Sequence, residues 1–372
     1  MPLLGLADPG DIRSSGSVGP SSASFPYLAP MSGPSTPLAQ VTPSLAAARD
    51  ASVVCDVSGL ALVSVQGPDA AAFLHGQLSS DVAGLAAEAC QYSSFNSPTG
   101  RMLANFVLWR GGAEPGSGFY LLLPADIAPA VRKRLAMFVL RSKVTIDDVS
   151  DRWRRLGVGG PSAGQAIHAA FGIAPSEFGV AQAGAVTVVA VPGSRYYVLA
   201  PEGDASRVAT ALGVGASGFA PFEAWQWLTI HAGVPVITAA TQDKFVAQSA
   251  NWDVLGGVNF KKGCYTGQEI IARMQYLGRL KERLFAFRGP ATSVAPGDRL
   301  YSPAFDLQAC GTVVNAARSP DNDVHLLAVV QLAAVASGEV RLGTPEGPHL
   351  TRLALPYSVP APVEPPARAT RP

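Results

Sequence analysis

Short apolar runs separated by turn residues dominate the first part of the chain. Leu60 to Val65 and Phe119 to Leu123 have the largely continuous apolar character of buried strands. After the first run, the sequence Gly-Pro-Asp at 67–69 predicts a turn leading into a helix, with Phe73 and Leu78 on its apolar face. The pattern predicts a strand, a turn and a helix at the start of an α+β domain.

Two more strands and a second helix complete this domain. Tyr92 to Phe95 and Met102 to Leu108 read as strands on either side of a turn at 97–100. The spacing from Asp126 to Leu140 predicts a helix with a basic middle, formed by Arg132, Lys133 and Arg134. These three charges indicate either a solvated face or a contact with phosphate or polyglutamate.

The remaining pattern divides into an α+β module and an all-β module. Strands are predicted near 186–191 and 196–199, and helices near 205–212 and 222–231. From Arg283 onward, short strands broken by Gly and Pro predict a small β-barrel. The fold class is therefore α+β with a C-terminal barrel, divided as 47–150, 151–282 and 283–357. The flanking segments 1–46 and 358–372 are rich in Pro, Ser, Gly and Ala, a composition typical of disorder.

Composition narrows the classes of function. The formal net charge is +1 and no long basic block is present, which argues against a stable nucleic-acid complex. No apolar run approaches the roughly 18 residues needed to span a bilayer, and no secretory signal is evident, so a cytoplasmic protein without membrane contact is expected. Four scattered cysteines without a C-x-x-C pair predict neither a disulfide framework nor a metal site.

The segment 260–273 carries the strongest chemical signal. Thr266 and Glu269 have the spacing of a capping box, so Thr266 is expected to cap a helix running to about Tyr276. Cys264 would then lie just before a helix N-terminus and after two lysines, where positive potential favours the reactive thiolate. Local physics alone leaves a second interpretation open, in which Cys264 is a small structural hydrophobe.

The run from Lys262 to Glu269 resembles the K-G-C-Y-x-G-Q-E signature of the YgfZ family. That family is similar to the aminomethyltransferase (T-protein) of glycine cleavage and to mitochondrial iron–sulfur assembly factors. The blocks 73–78, 98–102 and 232–235 resemble family blocks in the same order.

The resemblance implies an aminomethyltransferase-like fold around a central opening that holds tetrahydrofolate. It also implies a role in maintaining iron–sulfur enzymes, including those that methylthiolate transfer RNA, through transient contacts. Cys264 would be the functional residue. Folate-binding residues implied by position in or near the signature are Lys262, Gly263, Tyr265, Gly267, Gln268, Glu269 and Arg273.

Two departures argue against ordinary aminomethyl transfer. The transferases carry an acidic residue soon after the position of Gly100, whereas this chain has none there. They also place a pterin-binding glutamate where this chain has His231, which as a neutral imidazole accepts only one hydrogen bond. His231 could equally be a core residue. Asn96 and Arg101 flank a turn expected to face the same cavity, although asparagine at a turn often serves backbone geometry.

Three functions remain in competition at this point. The first is a tetrahydrofolate-binding accessory protein for iron–sulfur cluster assembly or repair, with Cys264 supplying thiol chemistry. The second is a folate-dependent one-carbon transferase. The third is a non-catalytic folate-binding module in which Cys264 only packs.

Overall fold

The computed structural model of this 372-residue chain describes residues 38–111, 118–215, 218–276, 278, 280–290 and 293–360. In chain order the first elements are α1 (Leu38–Asp50), β1 (Val53–Asp56), β2 (Leu60–Gln66), α2 (Ala70–Gln77), β3 (Cys90–Asn96), β4 (Met102–Arg110), β5 (Gly118–Pro124), α3 (Ala128–Ala136) and β6 (Thr145–Asp148).

The middle and last parts follow in the same way. The middle contains β7 (Trp153–Gly159), α4 (Ala163–Phe171), β8 (Val180–Ala183), β9 (Val186–Val191), β10 (Arg195–Pro201), α5 (Ala205–Ala211), α6 (Phe222–His231) and α7 (Gln268–Tyr276). The last part contains β11 (Glu282–Gly289), β12 (Arg299–Tyr301), β13 (Ala309–Arg318), β14 (Val324–Gln331), α8 (Leu332–Ala336), β15 (Val340–Leu342) and β16 (His349–Leu353).

These strands form two five-stranded sheets and one barrel. The first sheet has the order β3-β4-β5-β2-β6 and the second β1-β7-β10-β9-β8. The six strands β11-β14-β13-β12-β15-β16 close into a barrel, which confirms the predicted C-terminal β-barrel. Within the described residues, no helix combines the length and the apolar composition needed to cross a bilayer.

Strand β4 shows how the core is organised, because it is buried on both faces. Val107 and Trp109 pack into the largest hydrophobic cluster, which also contains residues of the second sheet and of α6. Phe106 and Leu108 alternate with them and pack into a second cluster with residues of α2 and α3. Sheet one is therefore sandwiched between its own helices and the central core.

Several boundaries differ from the sequence-based expectation. Helix α1 begins at Leu38, inside the segment 1–46 expected to be disordered, because Leu45 and Ala48 find a buried place in the central core. Strand β1 was expected in the first domain but pairs with β7 of the second sheet. Residues 1–37 and 361–372, where most of the predicted disorder falls, lie outside the described residues.

Helix α3 is also shorter than predicted. It ends at Ala136 rather than Leu140, and Leu140 adopts a φ of +44°, which an α-helix cannot contain. By contrast, α6 runs from Phe222 to His231 as its apolar pattern predicts.

Candidate functional site

The signature segment is an irregular loop that runs into α7. This helix begins at Gln268 and ends at Tyr276, so its predicted end is confirmed but its predicted cap is wrong. Thr266 lies in a turn and forms no capping hydrogen bond with Glu269 among the described residues. Glu269 instead binds Arg273 one helical turn later, which removes the carboxylate that a capping box needs.

Lys262 anchors the loop to the end of α2. Its Nζ donates hydrogen bonds to the carbonyl oxygens of His75 and Leu78, the second at 2.7 Å. These carbonyls belong to the last turn and C-cap of α2, where backbone acceptors lack helical partners and a cation is favoured. The same ammonium lies 4.7 Å from the ring centroid of Tyr265. Lys262 therefore serves as a capping cation for α2, a role that its sequence context did not reveal.

Burial affects the ionisation of both anchoring residues. Loss of solvent around Lys262 lowers the pKa of its ammonium to about 8, with Asp81 acting in the opposite direction. Tyr265 is buried, and that burial raises the pKa of its phenol to about 12. The phenol therefore stays neutral at physiological pH, and Tyr265 acts as a packing residue under the loop.

Gly267 lets the loop approach the turn at 97–100 more closely than any other residue could. Its φ is +81°, and a Cβ at this position would lie 2.5 Å from the carbonyl oxygen of Ser97. Gly100 faces it with a φ of +73°, and a Cβ there would lie 2.9 Å from Cβ of Ile270 in α7. Two glycines with positive φ thus fix the signature segment against the turn between β3 and β4.

All four cysteines of the chain lie in the described residues, and they differ sharply in exposure. Cys55, Cys90 and Cys310 are buried, whereas Cys264 is exposed. Burial raises the pKa of the thiols of Cys55 and Cys90 to about 12 and that of Cys310 to about 11. At neutral pH the three buried cysteines are therefore protonated thiols and do not react as thiolates.

Gly263, the residue before Cys264, lies close to a histidine of α2. A Cβ at Gly263 would lie 3.9 Å from Nε2 of His75. Nδ1 of His75 is 3.2 Å from Oδ1 of Asp81 and 3.3 Å from the backbone nitrogen of Ala83. When Nδ1 is protonated it can donate to Asp81, and when it is not it can accept from Ala83.

The polar residues that follow Cys264 form hydrogen bonds and an ion pair within the segment 260–273. Nε2 of Gln268 donates to the carbonyl oxygen of Lys262 at 3.4 Å, across the base of the loop. Glu269 and Arg273 form an exposed ion pair at 2.5 Å, with side chains 80% and 62% exposed. Gln268 thus supports the loop, while Glu269 and Arg273 lie on the solvent face of α7.

The two candidates around the 97–100 turn have different environments. Asn96 is fully buried, and both atoms of its side-chain amide lack a hydrogen-bond partner among the described residues. Arg101 is exposed and donates to the carbonyl oxygen of Lys244. A carboxylate also reaches this turn from a distant part of the chain, because Asp243 accepts a hydrogen bond from the Ser97 hydroxyl at 2.8 Å.

His231 lies apart from these groups and contacts the barrel. Its Nε2 is 3.0 Å from Nδ1 of His325 in β14, and its ring centroid is 4.1 Å from that of Trp227. Desolvation, and to a lesser extent His325, lowers the pKa of His231 to about 4, so this residue is neutral at pH 7. The buried Nε1 of Trp227 has no hydrogen-bond partner among the described residues.

The structure therefore gathers Lys262, Cys264 and Gly267 with the 97–100 turn and the end of α2. His231 belongs to a separate contact between α6 and the barrel. In the part of the chain that the structure describes, no three His, Cys, Asp or Glu side chains are grouped as a metal-ligand set. The gathered loop can present one exposed thiol, and within the described residues it holds no set of side chains that could enclose a metal by itself.

Comparisons with known proteins agree with this fold. Residues 33–196 match the GCVT N-terminal domain family. The glycine cleavage system aminomethyltransferase T of Bartonella henselae superposes with a TM-score of 0.69 at 19% identity, covering 85% of this chain and 89% of that one. The chain thus has an aminomethyltransferase-like fold.

Closer relatives are tRNA-modifying proteins named YgfZ. The protein from Edwardsiella ictaluri is 33% identical over 309 residues, which are 80% of this chain and 89% of the relative. The protein from Pectobacterium carotovorum is 31% identical over 325 residues, which are 85% of this chain and 95% of the relative. With this identity over most of both chains, the protein belongs to the YgfZ family of tRNA-modifying proteins.

Proposed function

We propose that this protein is a tetrahydrofolate-binding, cytoplasmic accessory factor for iron–sulfur cluster assembly or repair, and that it supports the enzymes that methylthiolate transfer RNA. The observation that carries the proposal is the exposure of Cys264 on a loop fixed at both ends. Lys262 holds the loop to α2 before the cysteine, and Gly267 holds it to the 97–100 turn after it. The relatives are named tRNA-modifying proteins, which supports the link to tRNA modification.

The chemistry available to Cys264 is that of a single thiol. A thiolate is a soft ligand for iron and a strong nucleophile. Iron–sulfur clusters usually take four protein ligands, so Cys264 would contribute one and a client enzyme or small thiol the others. This division suits transient contact with client proteins, because the cluster is cargo that leaves with the partner.

Buried polar atoms without partners support a polar ligand in the core. In the described residues these include the Tyr92 hydroxyl, the Asn96 amide and the Trp227 indole nitrogen. Each would gain from a hydrogen bond that ordered water or a ligand such as tetrahydrofolate can supply. Tetrahydrofolate, when bound, would supply one-carbon or redox-active pterin chemistry; Trp227 and His231, whose rings lie 4.1 Å apart, are the groups proposed to hold it.

The contacts of these residues set the proposed binding mode apart from that of a transferase. His231 is neutral and already engages His325 through Nε2, so it has a single ring nitrogen left for a ligand. Leu103 and Ala104, soon after Gly100, pack into a hydrophobic cluster and can neither bind a cationic amine nor relay a proton. The one-carbon transferase is therefore the less favoured alternative.

Complementation tests the proposal directly. Cells lacking the protein would receive the wild type, Cys264→Ala, Cys264→Ser or Lys281→Ala, and methylthiolated transfer RNA would be measured by mass spectrometry. We expect the wild type and Lys281→Ala to restore the modification, because Lys281 is an exposed lysine outside the signature segment. Both cysteine variants are expected to fail, because neither alanine nor serine provides a thiolate.

The controls separate loss of chemistry from loss of folding. Cys264 is exposed, so both of its variants should unfold at the wild-type denaturant concentration. Full rescue by folded Cys264→Ala would remove the thiol from the function and favour a folate-binding module. Failure of the wild type itself in these cells would reject the role in tRNA methylthiolation.

A further inference from the structure

An exposed apolar corner follows the end of α3. Met137, Phe138 and Leu140 expose 69%, 39% and 88% of their surface, although the apolar face of α3 itself is buried. Isolated exposed apolar residues are common, but three within four positions form a patch. With its surrounding cations, this basic–apolar corner consists of Arg132, Lys133, Arg134, Met137, Phe138, Leu140, Arg141 and Lys143.

The backbone holds the most exposed of these side chains outward at a cost. Leu140 has a φ of +44°, in the left-handed region that bulky residues rarely adopt. Such a conformation is strained for a leucine, and glycine or asparagine at this position would avoid most of the strain. A strained leucine that buries nothing within its own chain points to a use outside that chain.

A depression beside this leucine offers a place for a partner's side chain. It has a volume of about 590 Å³ and is lined by Phe138, Val139, Leu140, Arg141 and Ser142. Apolar side chains that fill such depressions at the centre of an interface supply much of its binding energy. The apolar lining therefore fits one aliphatic or aromatic side chain of a partner.

The chain segment that forms the depression carries charge of one sign, although the Asp69 carboxylate reaches it from the start of α2 and accepts a hydrogen bond from the backbone nitrogen of Lys143. Five cations lie between positions 132 and 143, whereas residues 127–146 contain no Asp or Glu and the entire chain has a net charge of only +1. All five are exposed, and none forms a salt bridge within the described ranges. A partner with carboxylates around an apolar residue would be complementary in both respects.

We propose that the basic–apolar corner is a docking surface for a partner protein that inserts one apolar side chain into the depression and surrounds it with Asp and Glu. A nucleic-acid backbone would gain nothing from Met137 and Leu140, whose uncharged side chains lie between Arg134 and Arg141 in the chain. A lipid surface is less suited, because α3 buries its own apolar face and leaves no amphipathic helix to insert. No residue of this corner belongs to the Cys264 loop, so the proposal does not depend on the proposed function.

Site-specific photocrosslinking in cells tests the occupant. The photoreactive amino acid p-benzoylphenylalanine would replace Leu140 in one full-length protein and Leu307 in a matched control. Leu307 is a leucine of the barrel domain with 78% exposure and serves as an equally accessible position. Adducts would be separated into protein, RNA and lipid by protease, nuclease and solvent extraction, and protein adducts would be mapped by mass spectrometry.

We expect a protein adduct at position 140 that is absent at position 307. Its mapped site should be an apolar residue flanked by Asp or Glu, and its yield should fall at least several-fold when Arg132, Lys133 and Arg141 are changed together to Glu. The matched charge reversal Arg318→Glu, at an exposed residue of the barrel, should leave the yield unchanged. An RNA or lipid adduct, the same adducts at both positions, an adduct site without acidic neighbours, or no adduct would each overturn the proposal.

Discussion

Gly267 provides a quantitative test of how the signature segment is held. In Gly267→Ala, the new Cβ would lie 2.5 Å from the Ser97 carbonyl oxygen and 2.9 Å from Cα of Gly100. Both neighbours are backbone atoms, so neither can rotate away as a side chain could. Relief to a 3.0 Å separation from the oxygen requires a shift of about 0.5 Å of one backbone segment against the other.

Two terms add to the expected loss of stability. An alanine in the left-handed region costs about 1–2 kcal/mol relative to glycine. Overpacking against a fixed backbone adds about 1–3 kcal/mol. We therefore expect Gly267→Ala to lower the free energy of unfolding by about 2–5 kcal/mol.

The matched control is Gly256→Ala, which isolates the contact from the backbone term. Gly256 has a φ of +77°, close to the +81° of Gly267, but a Cβ there would meet no atom within 4 Å. It should therefore lose only the first term of about 1–2 kcal/mol. Urea denaturation of both variants, with the slope of the transition checked for constancy, measures the difference of about 1–3 kcal/mol. Equal destabilisation of the two variants would refute the close packing of Gly267 on the 97–100 turn.

Two further predictions concern charge. Asp253→Asn should lower the free energy of unfolding by about 3–5 kcal/mol, because it leaves the Arg283 guanidinium buried without its carboxylate. The control Glu269→Gln removes the exposed ion pair with Arg273 and should lower the free energy of unfolding by under about 0.5 kcal/mol. Similar urea midpoints for the two variants would contradict the burial of the pair between Asp253 and Arg283. The pKa of His231 is lowered to about 4 in the folded protein, so the unfolded chain binds more protons between that value and about 6.5, and stability should fall as pH falls through this range. His231→Gln should flatten this part of the Tm–pH curve, and an unchanged curve would contradict the assignment.

Much of the fold follows from local sequence patterns. The predicted strands at 60–65 and 119–123 and the helix at 222–231 are present; the two strands are continuous apolar runs of strand length and are buried along almost their whole length. The barrel follows from short strands separated by turn residues. The aminomethyltransferase-like fold as a whole came from resemblance rather than from periodicity.

Tertiary contacts account for what the sequence did not reveal. Strand β1 pairs with β7 across about one hundred residues of chain, and no local pattern specifies that register. Helix α1 forms in a Pro- and Ser-rich region because Leu45 is buried in the core, and α3 ends early where the backbone turns at Leu140.

In the candidate site, too, the sequence identifies individual segments but not the long-range contacts between them. The signature located Cys264, and the blocks 73–78 and 98–102 resemble family blocks, but no local sequence pattern specifies the contacts that join these segments to the signature. The hydrogen bond between His231 and His325 joins α6 to a barrel strand 94 residues away, and Asp243 reaches Ser97 from 146 residues away. Long-range pairs of this kind are set by packing rather than by spacing.

Presentation of Cys264 as the accessible thiol is tested most directly by site-resolved alkylation. The native protein would be treated briefly with iodoacetamide at neutral pH, and modification of each of the four cysteines would be quantified by mass spectrometry. Cys264 should be modified in the folded state, while Cys55, Cys90 and Cys310 should react only after denaturation, because they are buried and the pKa of each thiol is raised. Protection of Cys264, or reaction of a buried cysteine at the same rate in the native protein, would contradict this arrangement.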